Sequence, residues 1–504
     1  MRSPVQVTRR GALIVRLSDV SPAELTKKLT FKPKKRGASI CAAVALSGDR
    51  MAFPRYAKPG FAIGKIIVDE PSNFGLKDQY LRWNPERKLQ SKQAPGVGQV
   101  CETLLSIGGC TMNGETGSGK TVMALAVLYR MQPKHTLVLV DRIDLARQWA
   151  ERIAEYLPGT VVRFLMSEKD VQAEQTRPAN PTEGRILIAT GQSIYRSLEY
   201  TADNPISCDM LVCDEAHVFS APTFLKSILR LRYRYSLALT ATVDRKDGLE
   251  KLFLSALGEK IIRVDGNTMT PVIYTVPAPS GGVVETDWQM FWCSHLKGMS
   301  WINKCQSCPQ FSEFPNCIGN PRCLGDLTEA QKRKVKINRS GLVDAWSNTP
   351  EYVAWLIQGI KLLASRGRNM FVFADGRRLL QTLHAALSAD LGAENVGLFL
   401  GGAGTSRKAV EARNVELKKK VTLVTYGIAA KGLDVAEKDL AFLATPIADG
   451  RQVVGRVRRK KEGKTNPIVV LAVPSIQTLE RTCRKFERQM RKNQWKVIPL
   501  SRLI

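Results

Sequence analysis

Eight consecutive residues, Gly114-Glu115-Thr116-Gly117-Ser118-Gly119-Lys120-Thr121, have the types and spacing to wrap a triphosphate. Glycines at these places let backbone N–H groups approach phosphate oxygens where a Cβ would obstruct them. Lys120 is placed to reach the β- and γ-phosphates, and the Thr121 hydroxyl to ligate Mg²⁺. The run Val122 to Leu128 reads as a helix whose N-terminal dipole favours the same anion. Farther on, Asp214-Glu215-Ala216-His217 follows Met210-Leu211-Val212-Cys213, a buried-strand signal that delivers two carboxylates to a sheet edge. Asp214 can hold the magnesium and Glu215 can activate the attacking water. Two adjacent acids alone often form only a solvated turn. The pairing of loop-then-helix with strand-then-acid implies hydrolysis of a nucleoside triphosphate.

Parallel strands and covering helices are needed to position these groups. Thr136–Val140, Ile186–Ala189, Met210–Cys213 and Leu237–Leu239 read as strands. Leu145, Trp149, Ile153 and Leu157 fall at four-residue spacing and mark a helix. This alternation predicts a first α/β domain over residues 85–270. A second series, over 346–474, has strand signals at 370–373, 396–400, 421–424, 440–443 and 468–471. Helices are expected at Tyr352–Ser365 and Arg378–Leu391. It has no phosphate loop of its own. Residues 1–84 read as a small α+β accessory domain, 271–345 as a linker with a cysteine-rich insert, and 475–504 as a basic C-terminal helix.

A chain of 504 residues with 44% apolar content is long enough for about three globular domains. No apolar run reaches membrane-span length, and the basic start Met1-Arg2-Ser3-Pro4-Val5 lacks an apolar stretch and a cleavage site. An intracellular, non-secreted protein is expected. The net charge of +29 calls for a polyanion, and nucleic acid is the first candidate.

With both α/β series in view, the chain resembles a superfamily 2 helicase of the Asp-Glu-Ala-His box type, with motifs in family order from about Leu89 to Val473. The resemblance implies two tandem RecA-like parallel-sheet motor domains. Leu89-Gln90-Ser91-Lys92-Gln93 stands where the family has a glutamine segment, making Gln93 a candidate adenine reader. Leu139-Val140-Asp141-Arg142 with Gln148-Trp149, and then Thr190-Gly191-Gln192-Ser193, look like strand-contacting motifs; an Asp stands at 141 where the family usually has Pro. His217 is implied to sense the γ-phosphate, and Thr240-Ala241-Thr242 to couple the domains. Thr425-Tyr426-Gly427 through Gly432-Leu433-Asp434 matches the motif that touches both nucleic acid and ATP, with Gly432 and Asp434 on the nucleotide. Gln452-Val453-Val454-Gly455-Arg456-Val457-Arg458-Arg459 matches the closing arginine motif, giving Gln452, Arg456 and Arg459 catalytic roles. Leu239 to Leu249 is similar to the xeroderma pigmentosum group B branch, which includes phage and large-DNA-virus helicases.

Chemistry supports the arginine assignment without the family. A departing γ-phosphoryl needs added positive charge, and an Arg from a second domain supplies it only on closure. Arg456 and Arg459 lie three apart, so a short helix would aim both at one point; Arg458, Lys460 and Lys461 read as a solvated basic face. An ATP-dependent DNA helicase or translocase, viral and serving repair, recombination or transcription, is the leading expectation. If it is viral, host cytoplasm or nucleus is its place. An RNA-directed helicase or transcript-release factor and an ATP-driven duplex clamp are the alternatives. A nuclease lacks a second carboxylate cluster.

Five of the eleven cysteines lie between Cys293 and Cys323. Cys305-Gln306-Ser307-Cys308 can present two thiolates to one tetrahedral Zn²⁺, with Cys317 and Cys323 completing the site and Cys293 or His295 as substitutes. A reactive or disulfide cluster, or ordinary cysteines, remain open at this point. The other six read as small core hydrophobes. Ile476, Leu479, Cys483, Phe486 and Met490 form an apolar helical stripe in the tail, with Arg481, Arg484, Lys485, Arg488, Arg491 and Lys492 around it. The stripe is expected to pack, and the charges to follow phosphates.

Overall fold

The structure, a computed structural model, describes residues 5–32, 39–46, 48–57, 63–70, 79–115, 117–177, 184–197, 205–241, 243, 248–266, 268–293, 298–301, 336–400, 412, 415–429 and 435–502. The chain divides into two compact units, Met1–Asn267 and Thr268–Ile504.

The first unit opens with a mixed sheet of β1 (Val5–Arg9), β2 (Leu13–Arg16), β5 (Val44–Leu46), β6 (Arg50–Phe53) and β7 (Ile63–Val68), in the order β5-β6-β2-β1-β7. A short ribbon of β3 (Thr30–Phe31) and β4 (Ile40–Cys41) and the helix Pro22–Lys28 accompany it. The motor sheet follows: β8 (Gly109–Asn113), β9 (His135–Val140), β10 (Val161–Leu165), β11 (Arg185–Thr190), β12 (Ser207–Cys213), β13 (Arg232–Thr240) and β14 (Ile261–Arg263). All seven strands are parallel, in the order β10-β11-β9-β12-β13-β8-β14.

Near-continuous apolar strands are what a sheet covered on both faces requires. Leu137, Leu139, Leu211 and Cys213 enter one core, and Val138, Val140, Met210 and Val212 the other. The accessory sheet feeds Val7, Leu13, Val15 and Phe53 into the first of these cores, so it is fused to the motor sheet. A buried Glu70 ties the junction, meeting Arg9 at 2.7 Å and Arg55 at 3.2 Å, while Arg55 also donates to the Arg234 carbonyl at 2.8 Å. Gly11, at φ +105°, lies where a Cβ would sit 2.7 Å from the Tyr233 ring.

The second unit holds β15 (Val272–Ala278), β19 (Met370–Ala374), β20 (Val396–Phe399), β21 (Val421–Thr425), β22 (Leu440–Leu443), β23 (Ile468–Pro474) and β24 (Lys496–Pro499). They form a parallel sheet ordered β20-β21-β19-β22-β23-β15-β24. Counting strands from each sheet's first, both orders read 3-4-2-5-6-1-7. The halves share no evident sequence repeat, yet one topology is built twice. The second sheet extends beyond residues 346–474: β15 comes from the expected linker and β24 from the expected tail. Between β15 and β19, β16 (Gln289–Cys293), β17 (Gly298–Trp301) and β18 (Lys336–Ile337) make a small antiparallel sheet.

The floors of the two sheets match in detail. Asp209, before Met210 of β12, accepts the His135 N–H at 2.8 Å; Asp439, before Leu440 of β22, accepts the Asn369 N–H at 3.0 Å. Strand registers make these positions equivalent. Outside the insert, Cys110, Cys208, Cys213 and Cys483 are buried and Cys41 and Cys101 half-buried, in line with their reading as core hydrophobes. Among the described residues, no helix is long and apolar enough to cross a membrane.

Candidate active site

The phosphate loop leaves β8 at Gly114 and enters the helix Lys120–Met131. Gly117 and Gly119 have φ of +86° and +82°, a region closed to most L-residues, so glycine is needed there. A Cβ on Gly114 would fall 2.7 Å from Val264 Cγ2, and one on Gly119 would fall 2.4 Å from Gln93 Nε2. Lys120 Nζ donates to the Gly114 carbonyl at 2.8 Å and the Glu115 carbonyl at 3.3 Å, folding over the loop. Thr121 is the second residue of a helix buried on nearly every side from Met123 to Leu128, which fixes its N-terminus in space. The buried Ser118 Oγ has no hydrogen-bond partner. A glycine loop leading into a helix N-terminus, with an orphaned hydroxyl, fits a triphosphate.

Gln93 is buried beside this loop. Its Nε2 donates to the Ser118 carbonyl at 3.0 Å and its Oε1 accepts the Gln90 N–H at 3.1 Å. The amide expected to read adenine thus braces the loop backbone. Gly266 lies on the opposite side, where a Cβ would come within 2.2 Å of Ser118 Cα. Nothing local to Gly266 signals this contact in the sequence.

Asp214 follows β12, its N–H held by the Leu139 carbonyl at 2.9 Å. Its Oδ2 accepts the indole N–H of Trp149 at 2.8 Å and its Oδ1 accepts the Glu215 N–H at 2.9 Å. Burial, then the Glu215 carboxylate, raise the Asp214 carboxyl to about 6, against the Trp149 hydrogen bond and Lys120. Mg²⁺ would lower it again, because a cation favours the charged form. Glu215 has φ +49° and ψ +49°, the left-handed region, which costs a non-glycine residue on the order of 1 kcal/mol. The turn leaves Glu215 Oε2 3.5 Å from His217 Nδ1 and without a hydrogen-bond donor. His217 Nδ1 also lies 3.2 Å from Thr240 Oγ1, joining the ends of β12 and β13. The structure therefore brings together Lys120, Thr121, Asp214, Glu215, His217 and Thr240.

The expected strand-contacting residues divide differently. Trp149 is 1% exposed and belongs to Asp214. Thr190 caps the helix Gly191–Arg196 by accepting the Ser193 N–H, and Ser193 Oγ donates to the Leu165 carbonyl at 2.6 Å. Of Thr190 to Ser193, Gln192 is the exposed side chain.

In the second unit, the helix Arg451–Gly455 carries Gln452 and ends with Arg456 as its C-cap. Arg459 lies past the helix, in a bridge with Thr268. The expectation that one short helix aims both arginines is corrected: the helix stops at Gly455. The solvated reading of Arg458 is also corrected. This residue is 6% exposed, donates to the Met269 carbonyl at 3.0 Å and Thr268 Oγ1 at 2.9 Å, and covers the Trp495 ring at 4.6 Å. Those partners are far away in sequence, so spacing could not reveal them. Lys460 and Lys461 are exposed as expected. Thr116, Thr242, Gly432, Asp434, His295, Cys305, Cys308, Cys317 and Cys323 lie outside the described residues; Cys293 ends β16.

Against known proteins, the family described as "Type III restriction enzyme, res subunit" matches residues 91–245, from the glutamine segment past Thr240. The probable helicase D10 of Escherichia phage T5 is 23% identical over 427 residues, 83% of this chain and 78% of its own length. Along most of its length this chain is similar to helicases. The DNA 3'-5' helicase XPB of Mycobacterium tuberculosis is 28% identical to this chain over 149 residues, 29% of this chain and 25% of XPB. Among solved structures, the ATP-dependent Type ISP restriction-modification enzyme LlaBIII, solved bound to DNA, aligns with a TM-score of 0.54 and 14% identity. It matches 88% of this chain, which spans only about a third (34%) of that enzyme. This likeness supports the twin-sheet fold.

Proposed function

We propose that this chain is an ATP-dependent helicase or translocase that couples ATP hydrolysis to movement along, or unwinding of, nucleic acid, with DNA preferred over RNA. The carrying observation is a complete phosphate loop and an Asp-Glu pair at the C-terminal ends of β8 and β12 in one parallel sheet. A second sheet of the same strand order carries an arginine motif. Relatives in phages and large viruses support a viral source and a role in repair, recombination or transcription.

In this mechanism Gly114 to Gly119 seat the phosphates, and Lys120 exchanges its two carbonyl partners for phosphate oxygens. Thr121 and Asp214 would hold Mg²⁺, which neutralises charge on the triphosphate when bound. Glu215, held forward by its left-handed backbone, takes the proton of the attacking water. His217 and Thr240 link that carboxylate to the end of β13. Arg456 and Arg459 stabilise the leaving γ-phosphoryl once the two motors close on ATP. The exposed bases of a chain at +29 grip phosphodiester backbone.

ATP hydrolysis measured side by side with single-stranded, duplex and forked DNA and with RNA tests this reading. DNA should stimulate most. Equal or greater stimulation by RNA would move the assignment to an RNA motor, and indifference to every nucleic acid would overturn it.

The same proposal includes one structural Zn²⁺ on Cys305, Cys308, Cys317 and Cys323. The two-residue spacing of the first pair supports it, as does pairing of β16 with β18, which draws the ends of the insert together. Elemental analysis of protein made under reducing, chelator-free conditions should find about one zinc per chain. Finding none retires the site.

A further inference from the structure

The helix Gln477–Lys492 is fastened to the second unit along one side only. Leu479, Cys483, Phe486 and Met490 are buried in that side. Glu285 receives its first turn, accepting the Thr478 N–H at 2.9 Å and the Thr478 hydroxyl at 2.7 Å. Near its far end, Gln489 donates to Asp449 at 3.0 Å and accepts the Gly450 N–H at 3.3 Å. Gly450 fits so closely that a Cβ there would meet the Phe486 ring at 2.2 Å. This helix is therefore a rigid wall against the segment that opens the arginine motif.

Its other side is basic. Arg481, Arg484, Lys485, Arg488, Arg491 and Lys492 are all exposed. At 3.6 residues per turn they fall within an arc of about 120° centred opposite the apolar stripe. From Arg481 to Lys492 the arc runs roughly 16 Å, the span of about five phosphates on one strand of a duplex. Glu480 and Glu487 are the acids of this helix, both half-buried at the border of the arc; Glu480 pairs with Arg484 at 2.6 Å. Arg488 also donates to the Arg484 carbonyl, and Arg491 reaches the Val497 carbonyl of β24. Six cations on a rigid rod, almost without acids among them, match the regular charge spacing of a phosphodiester backbone.

We propose that this outer face is a nucleic-acid track. The inference rests on the reading that the chain binds nucleic acid, and adds the surface that does so. The track contacts phosphates and not base edges, so it is indifferent to sequence.

The test is the full chain with Arg481→Gln, Lys485→Gln, Arg488→Gln and Lys492→Gln together, compared with wild type. Fluorescence anisotropy of a labelled oligothymidylate and of a mixed-sequence duplex is followed from low to high salt. Each lost phosphate contact removes about 0.7 to 0.9 from the slope of log affinity against log salt. The fourfold variant should lose roughly three units of slope and at least tenfold in low-salt affinity. Its melting temperature should stay at the wild-type value, because every altered side chain is exposed. Arg481→Lys with Arg488→Lys should retain the slope. A folded fourfold variant with the full wild-type slope overturns the track while leaving the helicase reading intact. Wild-type protein that binds neither probe overturns both. Loss of binding to phosphatidylserine vesicles, with the nucleic-acid slope unchanged, assigns the face to anionic lipid and overturns the track.

Discussion

In the first unit the chain leaves β8 through a glycine loop into the helix Lys120–Met131. In the second it leaves β15 through Pro279-Ser280-Gly281-Gly282 toward the insert. The fifth strands part in the same way. Asp214 and Ala444 occupy equivalent places, their N–H groups donating to Leu139 at 2.9 Å and Phe373 at 2.8 Å. One presents a carboxylate followed by Glu215; the other presents a methyl followed by Thr445, whose buried hydroxyl accepts the Asp375 N–H at 2.9 Å. Yet the opposite edges keep the same aspartate clamp, Asp209 in one and Asp439 in the other. Strand order and floor are set by backbone pairing, which tolerates many sequences. Phosphate chemistry occupies the loops at the C-terminal ends, where residues change without disturbing the sheet. On the proposed reading, two copies of one scaffold serve as a catalytic half and an arginine-bearing half.

That division is broken most severely at the first sheet. Lys120→Ala should remove most ATP affinity. Glu215→Gln should keep ATP bound and lower turnover by on the order of 10²- to 10⁴-fold, because it removes the base and little else. Paired nucleotide-binding and single-turnover measurements separate these outcomes; near-normal hydrolysis by Glu215→Gln would mean another group activates water.

Next in size is the contribution of the second sheet. Arg456→Ala or Arg459→Ala should each cost on the order of 10³ in turnover while ATP binding to a fragment ending at Gly266 stays as in the full chain. Full-speed hydrolysis by that fragment would make the first unit self-sufficient.

A smaller effect sharpens the contrast between Asp214 and Ala444. Trp149→Phe keeps an aromatic ring in the core and removes the N–H that holds Asp214. A hydrogen bond to a charged group contributes about 1.5–3 kcal/mol, so the Mg²⁺ concentration supporting half-maximal nucleotide binding should rise roughly 10- to 100-fold. Titration with a fluorescent ATP analogue reads this without turnover, and an unchanged Mg²⁺ requirement would reduce Trp149 to a core residue.

The last effect is on stability and concerns the second floor. Lys438 is fully buried, donating to the carbonyls of Met370, Lys419 and Lys420 and to Thr422 Oγ1. Burial lowers its ammonium to about 7, against the pull of Glu437 and Asp439. The unfolded chain, near 10.4, then binds the proton more readily, so stability should rise from pH 7 to pH 10. The slope is at most about 1.4 kcal/mol per pH unit. Denaturant midpoints across that range should climb for wild type and flatten for Lys438→Met; parallel curves would exclude Lys438 as the source.

Residues that are neighbours in sequence were the legible ones. The phosphate loop, Asp214-Glu215 and the strands from Met370 to Leu471 follow from short runs whose meaning is local. What escaped depends on partners remote along the chain. β15 and β24 lie outside the second strand-and-helix series of the sequence, and only their pairing with β23 and with each other places them in its sheet. Arg458 sits in a basic run like its solvated neighbours and is distinguished by Met269 and Trp495. Trp149 falls at a core position of an amphipathic helix, and no spacing rule connects its ring nitrogen to Asp214. For the same reason, deleting everything beyond Pro474 is a poor probe of the basic tail, since it removes a strand and a buried helix face together with the charges.

The position of β15 has a consequence for synthesis. As the chain emerges from a ribosome, the first sheet has every strand once Arg263 is out. The next strand made, β15, must lie between β23 and β24, and neither exists until Ile468 and then Lys496 have been added. Throughout that interval an apolar strand with two open edges is attached to a finished domain, a state prone to mispairing and to capture by chaperones. Ribosome-bound chains stopped before Ile468 should therefore carry a protease-resistant first unit and a protease-sensitive remainder.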